Sequence, residues 1–285
     1  AANINQTINS VLNQTYGSFE LVIVNDGSTD KKSLKILEEL KKLDDRIKIF
    51  TKKNEGPSAA RDYGASKANK KSKYYFFLDS DDLIDKTYLE CAYLTLETNK
   101  DASWAYADSV GFEGVEYTWA KWFDPERMKK ENLLVATALI RKEDFWLVNG
   151  YELREKNISE DWNLWLKLLA KGKYPVRMNY YAFWYRRKVN TGQMYTTGTS
   201  NQKRAMEIIN ETVKTIKKYV PAIQYPKADY NWEYFEEKLN FIDLKLKKDN
   251  KKRLLVIVPL MVTGGADKFN VDFINGLNEN YETIV

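Results

Sequence analysis

The sequence predicts an α/β fold built on a mostly parallel sheet flanked by helices, and three observations carry that prediction. Two short apolar runs, Leu21-Val22-Ile23-Val24 and Tyr74 to Leu78, are continuous and not alternating, as in strands buried on both faces. Segments with helical spacing separate them, and the alternation of strand and helix over residues 1–100 implies right-handed βαβ units. The second run stops at Asp79-Ser80-Asp81-Asp82, an abrupt change from apolar to acidic at the carboxyl end of a strand, where open α/β sheets place ligands.

Taken in order, Ile4, Ile8, Val11 and Leu12 mark a first helix that Asn13 to Gly17 end. The strand from Leu21 stops at the turn cluster Asn25-Asp26-Gly27-Ser28-Thr29-Asp30, and Asp30 or Ser28 caps a helix carrying Leu34, Ile36, Leu37 and Leu40. Ile47 to Phe50 is the next strand, and Gly56-Pro57-Ser58 opens a helix of small residues before the strand that leads to Asp79. Trp104 to Ala107 and Leu134 to Ile140 read as strands, and Lys142 to Asn149 as a short helix stopped by Gly150. Ser159 is a good N-cap for a helix with Trp162, Trp165, Leu166 and Leu169 on one side and Gly172 as its stop, which puts Glu160 and Asp161 in an exposed first turn. Tyr180 to Tyr185 is a later strand. Residues 203–218 and 232–248 read as helices joined by a link containing Pro221 and Pro226. Leu254 to Val258 is a strand followed by Thr263-Gly264-Gly265-Ala266-Asp267-Lys268 and a helix through Leu277.

Composition removes several classes of chemistry. Among 285 residues there is no histidine, so a general base must be a carboxylate, Lys or Tyr. The single cysteine, Cys91, excludes an internal disulfide and a cysteine-cluster metal site. The net charge of +5 suits anionic substrates or an anionic membrane face but does not argue for nucleic acid, because the basic residues do not interleave with aromatics. No apolar run is long enough to span a bilayer, and no signal peptide is evident. The first residue is Ala, the mark of a processed chain or a fragment.

Three carboxylates within four residues, Asp79, Asp81 and Asp82, repel one another unless a cation sits among them. A hard divalent ion such as Mg²⁺ or Mn²⁺, bound through oxygen and carrying substrate phosphates, suits them. An acidic turn capping the next helix at Asp82 or Asp85 suits them equally well.

Five stretches in one order resemble family 2 glycosyltransferases, the inverting group with the GT-A fold: SVLNQTYGSFELVIVNDGSTD (10–30), GPSAARDYGASKA (56–68), YYFFLDSDD (74–82), ALIRKEDFWLVNGYE (138–152) and SEDWNLWLKLLAKG (159–172). The resemblance covers residues 3 to about 190. It implies that Asp26, with Gly27 and Ser28 of the same turn, meets the nucleotide base, and that Arg61 lies near the donor phosphates. It implies that Asp81 ligates Mg²⁺ or Mn²⁺, with Asp79 on the ribose or in the metal shell, and that Asp161 is the catalytic base. The bland readings stand beside these: Asp26 as a turn residue, Arg61 as a surface helix arginine, and Glu160 and Asp161 as favourable first-turn acids. Trp162 is open between stacking on an acceptor sugar and filling the core. Inversion is a single displacement, so one carboxylate suffices and no covalent nucleophile is needed.

The sequence departs from the family in two places. The family's first strand, ending in a Pro-x-Tyr-Asn type motif, is missing, which leaves unpaired strand edges and an incomplete base pocket. The histidine that many relatives add near the metal is absent, as is the Gln-x-x-Arg-Trp mark of processive members. The C-terminal stretch from Leu254 to Lys268 resembles the opening of a family 4, GT-B glycosyltransferase, and alternatively is a strand and tight turn that fills the missing sheet position. The expected organisation is therefore an N-terminally truncated GT-A domain at 1–200, a helical extension at 201–250, and at 251–285 the start of a second, fused glycosyltransferase module. The expected function is metal-dependent transfer from a nucleotide sugar, a UDP-sugar by resemblance, to a saccharide or lipid-linked acceptor in glycan synthesis. Its expected place is the cytoplasm, at the inner face of the membrane. The competing readings are a catalytically inactive nucleotide-binding scaffold and, less well matched, a nucleotidyltransferase.

Overall fold

A computed structural model describes residues 3–120, 122–151, 159–187, 199–217, 253–255 and 282–284. The chain forms two compact units, Ala1–Ala222 and Ile223–Val285.

In the first unit, helix α1 (Ile4–Leu12) leads into strand β1 (Leu21–Asp26), then α2 (Lys31–Leu40), β2 (Ile47–Lys52) and α3 (Pro57–Lys67). The expected cap of α2 is in place: the Asp30 carboxylate accepts from the Ser33 N–H at 2.8 Å. β1 and β2 pair in parallel from Leu21↔Ile47 to Asp26↔Lys52, as a right-handed crossover through α2 requires. Ile4, Ile8, Leu37, Leu40 and Ile47 close a small apolar cluster beside this pair.

The chain continues through β3 (Tyr74–Phe76), β4 (Leu83–Ile84), α4 (Tyr88–Thr98), β5 (Ala102–Glu113), β6 (Tyr117–Trp119), α5 (Pro125–Met128), β7 (Leu139–Arg141), α6 (Lys142–Leu147), α7 (Glu160–Ala170), β8 (Tyr174–Arg187) and α8 (Thr199–Lys214). Six strands form one sheet in the order β3-β7-β5-β8-β4, with β6 also on β5. The pairing is mixed: β5 and β8 run parallel, while β3–β7, β5–β7, β4–β8 and β5–β6 are antiparallel. The mostly parallel arrangement implied by the first hundred residues therefore holds for β1 and β2 and not for this larger sheet. The segment expected as a strand from Leu134 to Ile140 is extended only at its end, Leu139–Arg141, where β3 and β5 offer partners on both sides.

β5 is buried along most of its length because both faces of the sheet are covered. Trp104 and Tyr106 point into a core with α6, α7 and α8, while Ala105 and Ala107 point into a second core with α4. The indoles of Trp104 and Trp165 stack at 4.9 Å and 14°. α7 is buried nearly all round, from Trp162 to Leu169, and α8 covers its outer side, where Thr212 donates to Asn163 at 2.9 Å. Trp162 is thus core: its indole N–H donates to the Met128 carbonyl at 2.7 Å.

Among the described residues β1 and β3 are not paired to each other, and their residues Leu21–Val24 and Tyr74–Leu78 line a cavity of about 990 Å³.

In the second unit, β9 (Arg253–Leu255) pairs in parallel with β10 (Glu282–Ile284) in a sheet of their own. Leu254 and Leu255 of the expected terminal strand pair with Thr283 and Ile284. Val256 to Val258, the Thr263–Lys268 turn, the 232–248 helix and the proline link lie outside the described residues.

Candidate active site

The centre of the site is Arg61, on the second turn of α3. One guanidinium nitrogen reaches Asp79 at 2.6 Å and another reaches Glu160 at 2.9 Å. The same group lies 5.2 Å from the centre of the Tyr151 ring. Three segments therefore meet on one cation: the end of β3, the start of α7 and the Gly150-Tyr151 turn. Burial pushes the Arg61 guanidinium down, but Asp79, Tyr151 and Glu160 together hold it well above its ordinary value, so it stays charged. The surface-arginine reading of Arg61 is not what the structure presents, because only 11% of the side chain is exposed.

Asp161 sits beside this hub. It is only partly accessible, so the exposed first turn expected for α7 is corrected: Glu160 keeps 14% of its side-chain surface. The reason is that Arg61 and Tyr151 cover that turn. Burial pushes the Asp161 carboxyl up to about 6, aided by the charge of Glu160 and opposed by the Trp162 N–H, Arg61 and the Asn132 side chain. A carboxylate that changes charge near pH 6 is suited to take and release a proton at neutral pH.

The Asp79–Asp82 turn divides its carboxylates. Asp82 faces inward, accepts the Arg186 backbone N–H at 2.8 Å, and is pushed up to about 8, first by burial and then by Asp79 and Asp81. The Arg186 side chain holds the turn by donating to the Asp81 carbonyl at 2.6 Å, and reaches Gln6 and Glu113 as well. Neither Asp82 nor Asp85 caps the next helix: the N-cap of α4 is Thr87, which has no side-chain cap bond, and Asp85 accepts from the Thr87 N–H at 2.9 Å before the helix begins. That leaves Asp79 and Asp81 at the rim. No group of three or more His, Cys, Asp or Glu side chains that could hold a metal occurs among the described residues. Two rim carboxylates are nonetheless the donor set that Mg²⁺ or Mn²⁺ takes from a protein when diphosphate and water supply the remaining oxygens. The residues present fit such an ion in chemistry.

Asp26 sits elsewhere than in an open base pocket. Its carboxylate meets Lys52 at 3.0 Å and accepts from the Gly56 N–H at 2.8 Å and the Glu55 N–H at 3.1 Å. Burial pushes this carboxyl up, but Lys52 and the two N–H groups outweigh it and hold it below its ordinary value. Asp26 thereby anchors the start of α3, about 6 Å along the helix axis from Arg61 at 1.5 Å per residue. The Asx turn belongs to its neighbour: Asn25 accepts the Ser28 N–H at 2.9 Å. Gly27 has φ +76°, and a Cβ there would come within 2.8 Å of the Asn54 nitrogen. Arg61 and Asp79 line the cavity between β1 and β3, whereas Asp26, Asp81 and Asp161 are not among its lining residues.

Several participants were not singled out in the sequence. Tyr151 is fully buried, and its hydroxyl has no partner among the described residues. It lies in the field of Arg61, Asp161, Glu160 and Asp79. Asp62 aligns it by accepting the Tyr151 N–H at 2.9 Å. Tyr185, near the end of β8, lies in the field of Arg187, Asp82 and Asp79. The Gly-Tyr pair after α6 was a usable signal for Tyr151; nothing local marks Arg186 or Arg187.

The model of the family described as "Glycosyl transferase family 2" matches residues 1–151, more than half of the chain. The chain belongs to glycosyl transferase family 2. An uncharacterized glycosyltransferase of Haemophilus influenzae is 34% identical over 186 residues, covering 63% of this chain and 71% of that protein. An uncharacterized glycosyltransferase of Rickettsia bellii is 48% identical over 94 residues, 33% of this chain and only 13% of that protein. Among solved structures, S. aureus TarS 1–349 in complex with UDP-GlcNAc superposes with a TM-score of 0.61 at 19% identity, over 76% of this chain and 64% of that one. That likeness establishes the family's GT-A fold for this chain. The chain thus spans less than two thirds of that structure and a small part of the Rickettsia bellii protein. No helix among the described residues is long and apolar enough to cross a membrane.

Proposed function

We propose that this family 2 chain transfers a sugar, with inversion, from a UDP-linked donor to a hydroxyl of a saccharide or lipid-linked acceptor in glycan synthesis. The observation that carries the reading is the Arg61 hub: one buried cation tied to Asp79 and Glu160, beside an Asp161 carboxyl raised to about 6. A fixed cation next to a carboxylate that titrates near neutrality is what a displacement with an anionic leaving group needs.

Asp161 accepts the proton of the acceptor hydroxyl as its oxygen attacks the anomeric carbon. The bond to the departing diphosphate breaks in the same displacement, so configuration inverts and no covalent sugar–enzyme species forms. Arg61 supplies permanent positive charge on the diphosphate side, and Glu160 holds it in place. A Mg²⁺ or Mn²⁺ ion held by Asp81 and Asp79 would supply further positive charge to the leaving group. Asp82, held inward by Arg186, keeps the turn that presents those two carboxylates. Gly27 and Ser28 keep the turn after β1 close to α3, where a nucleotide base would meet Asp26. We read residues 1–200 as the transferase domain, with a helical extension at 201–250. We read 251–285 as the partial β-α start of a second module of family 4 type, a reading compatible with the parallel pairing of β9 with β10. A UDP-sugar donor fits a reaction in the cytoplasm, at the inner membrane face.

A second reading has an observation of its own. Asp26 spends its carboxylate on Lys52, Glu55 and Gly56, and a cavity separates β1 from β3. A nucleotide-binding module without turnover would show both features.

Calorimetry with UDP and Mn²⁺, followed by a donor-hydrolysis panel on the wild type, Asp81→Ala and Asp161→Asn, separates the readings. Turnover lost in both variants supports the transferase. Nucleotide binding without any turnover in the wild type supports the module, and full turnover in both variants overturns the site.

A further inference from the structure

Trp122 has the most exposed large apolar side chain among the described residues, with 70% of its surface open. The Arg177 guanidinium lies 4.5 Å from the ring centroid on one side. Arg177 is itself fixed, donating through two nitrogens to the buried Asp108 carboxylate at 2.7 and 2.6 Å, with only 9% of its side chain exposed. Asp108 thus fixes the guanidinium that lies against the indole, while most of the Trp122 surface stays open to solvent. An exposed aromatic ring that already has one partner gains by having the rest of its surface covered. Tyr181, opposite Asp108 in the register and 46% exposed, places a second amphipathic ring in the field of Arg177.

The position of this platform connects it to the site. Trp104, Tyr106 and Asp108 alternate along β5, so Asp108 is on the sheet face that α7 covers, toward the strand's carboxyl end. The segment after Trp122 runs along the same face. Phe123 packs edge-on against Trp104, the Met128 carbonyl holds the Trp162 indole, and the Asn132 side chain bonds the Asp161 carboxyl. One segment of eleven residues, 122–132, thus carries the exposed indole at one end and a ligand of the proposed base at the other.

We propose that Trp122, clamped by Arg177 and Asp108, is a stacking platform for a pyranose ring of the acceptor saccharide. The chemistry fits that class. A pyranose has a face of C–H bonds, weakly positive, which covers the negative face of an indole, while its equatorial hydroxyls stay outward to meet water and groups such as the Tyr181 hydroxyl. A flat, wholly apolar partner would leave Tyr181 and the charged clamp unused. The assignment rests on the transferase reading above for the word acceptor; the platform itself does not.

Saturation-transfer NMR tests it with three soluble probes, cellotetraose, maltotetraose and chitotetraose, and with UDP as a separate arm. Wild-type protein is expected to transfer saturation to ring C–H protons of at least one tetrasaccharide. Trp122→Ala is expected to weaken that binding about tenfold, the equivalent of a well-formed aromatic contact. Arg177→Met, which loosens the clamp and keeps the ring, is expected to weaken it as well. UDP signals are expected to be unchanged in both variants, which also shows that they fold. Failure of all three sugars on the wild type, or an undiminished signal in Trp122→Ala, overturns the platform. Absence of UDP signals with intact sugar signals counts instead against the nucleotide-dependent reading of the site.

Discussion

Arg61 and Glu160 stand 99 residues apart in the chain and meet at 2.9 Å, and the contact joins the helix that follows β2 to the helix that carries the proposed base. Asp79 completes the bridge from the end of β3. Removing the cation leaves Glu160 and the neighbouring Asp161 as partly enclosed negative charges without a counter-ion. Arg61→Ala is therefore expected to destabilise the fold by about 3 kcal/mol, the low end for a pair losing one enclosed partner, since Asp79 is half in water. A fall in the urea midpoint, with the donor-hydrolysis rate reduced at a temperature where both proteins are folded, checks it. An unchanged midpoint would mean the hub is not structural.

The pH dependence of turnover follows from Asp161. A base must be unprotonated to act, and this carboxyl holds its proton up to about 6. The rate at low substrate is expected to rise with pH to a plateau above that value and to fall below it. Asp161→Asn is expected to lower the plateau by roughly 10²- to 10⁴-fold, the usual worth of a positioned base, and to remove the limb. A profile of the wild type with no inflection between pH 5 and about 7 would count against this role.

Stability should carry a second signature, from Asp82. Its carboxyl is raised from 3.8 to about 8 in the folded protein, so the native state binds the proton more tightly than the unfolded chain. That contribution is complete below the unfolded value and is lost as pH rises through about 8. Asp161 adds to the same trend up to about 6. Asp82→Asn keeps an oxygen for the Arg186 N–H and cannot ionise. Its melting temperature is expected to match the wild type below about pH 4 and to exceed it by at least roughly a few degrees near pH 9. Melting curves at the two pH values decide it.

Gly27 is expected to resist substitution. Its φ of +76° and the 2.8 Å approach of a would-be Cβ to the Asn54 nitrogen both argue against a side chain. Gly27→Ala should cost about 1–2 kcal/mol and loosen the turn after Asp26. Chemical denaturation measures the first effect.

Tyr151→Phe is expected to go the other way. Its buried hydroxyl has no partner among the described residues, and an unsatisfied buried donor costs about 1–3 kcal/mol. The Phe variant should melt higher and keep the ring under Arg61. A lower melting temperature would reveal a partner for that hydroxyl.

What the sequence alone determined is what depends on neighbours in the chain. The α1 helix, the Asp30 cap, the Gly56-Pro57 start of α3 and the glycine stops at Gly150 and Gly172 were legible because caps and positive φ angles are settled within a few residues. The family resemblance named Asp79, Asp81 and Asp161 as candidates. Their division of labour was not legible. Only the tertiary structure turned Asp82 inward to Arg186, because that arginine comes from β8, 104 residues later. Only packing covered the first turn of α7, where helical spacing placed two exposed acids, since Arg61 and Tyr151 arrive from distant segments. The same cause gave Leu134 to Ile140 a short strand, set by what β3 and β5 could pair, and raised Trp122 onto a clamp made by residues 69 apart in sequence. Local propensity fixes backbone shape, but burial and charge at a point are sums over everything that folds around it.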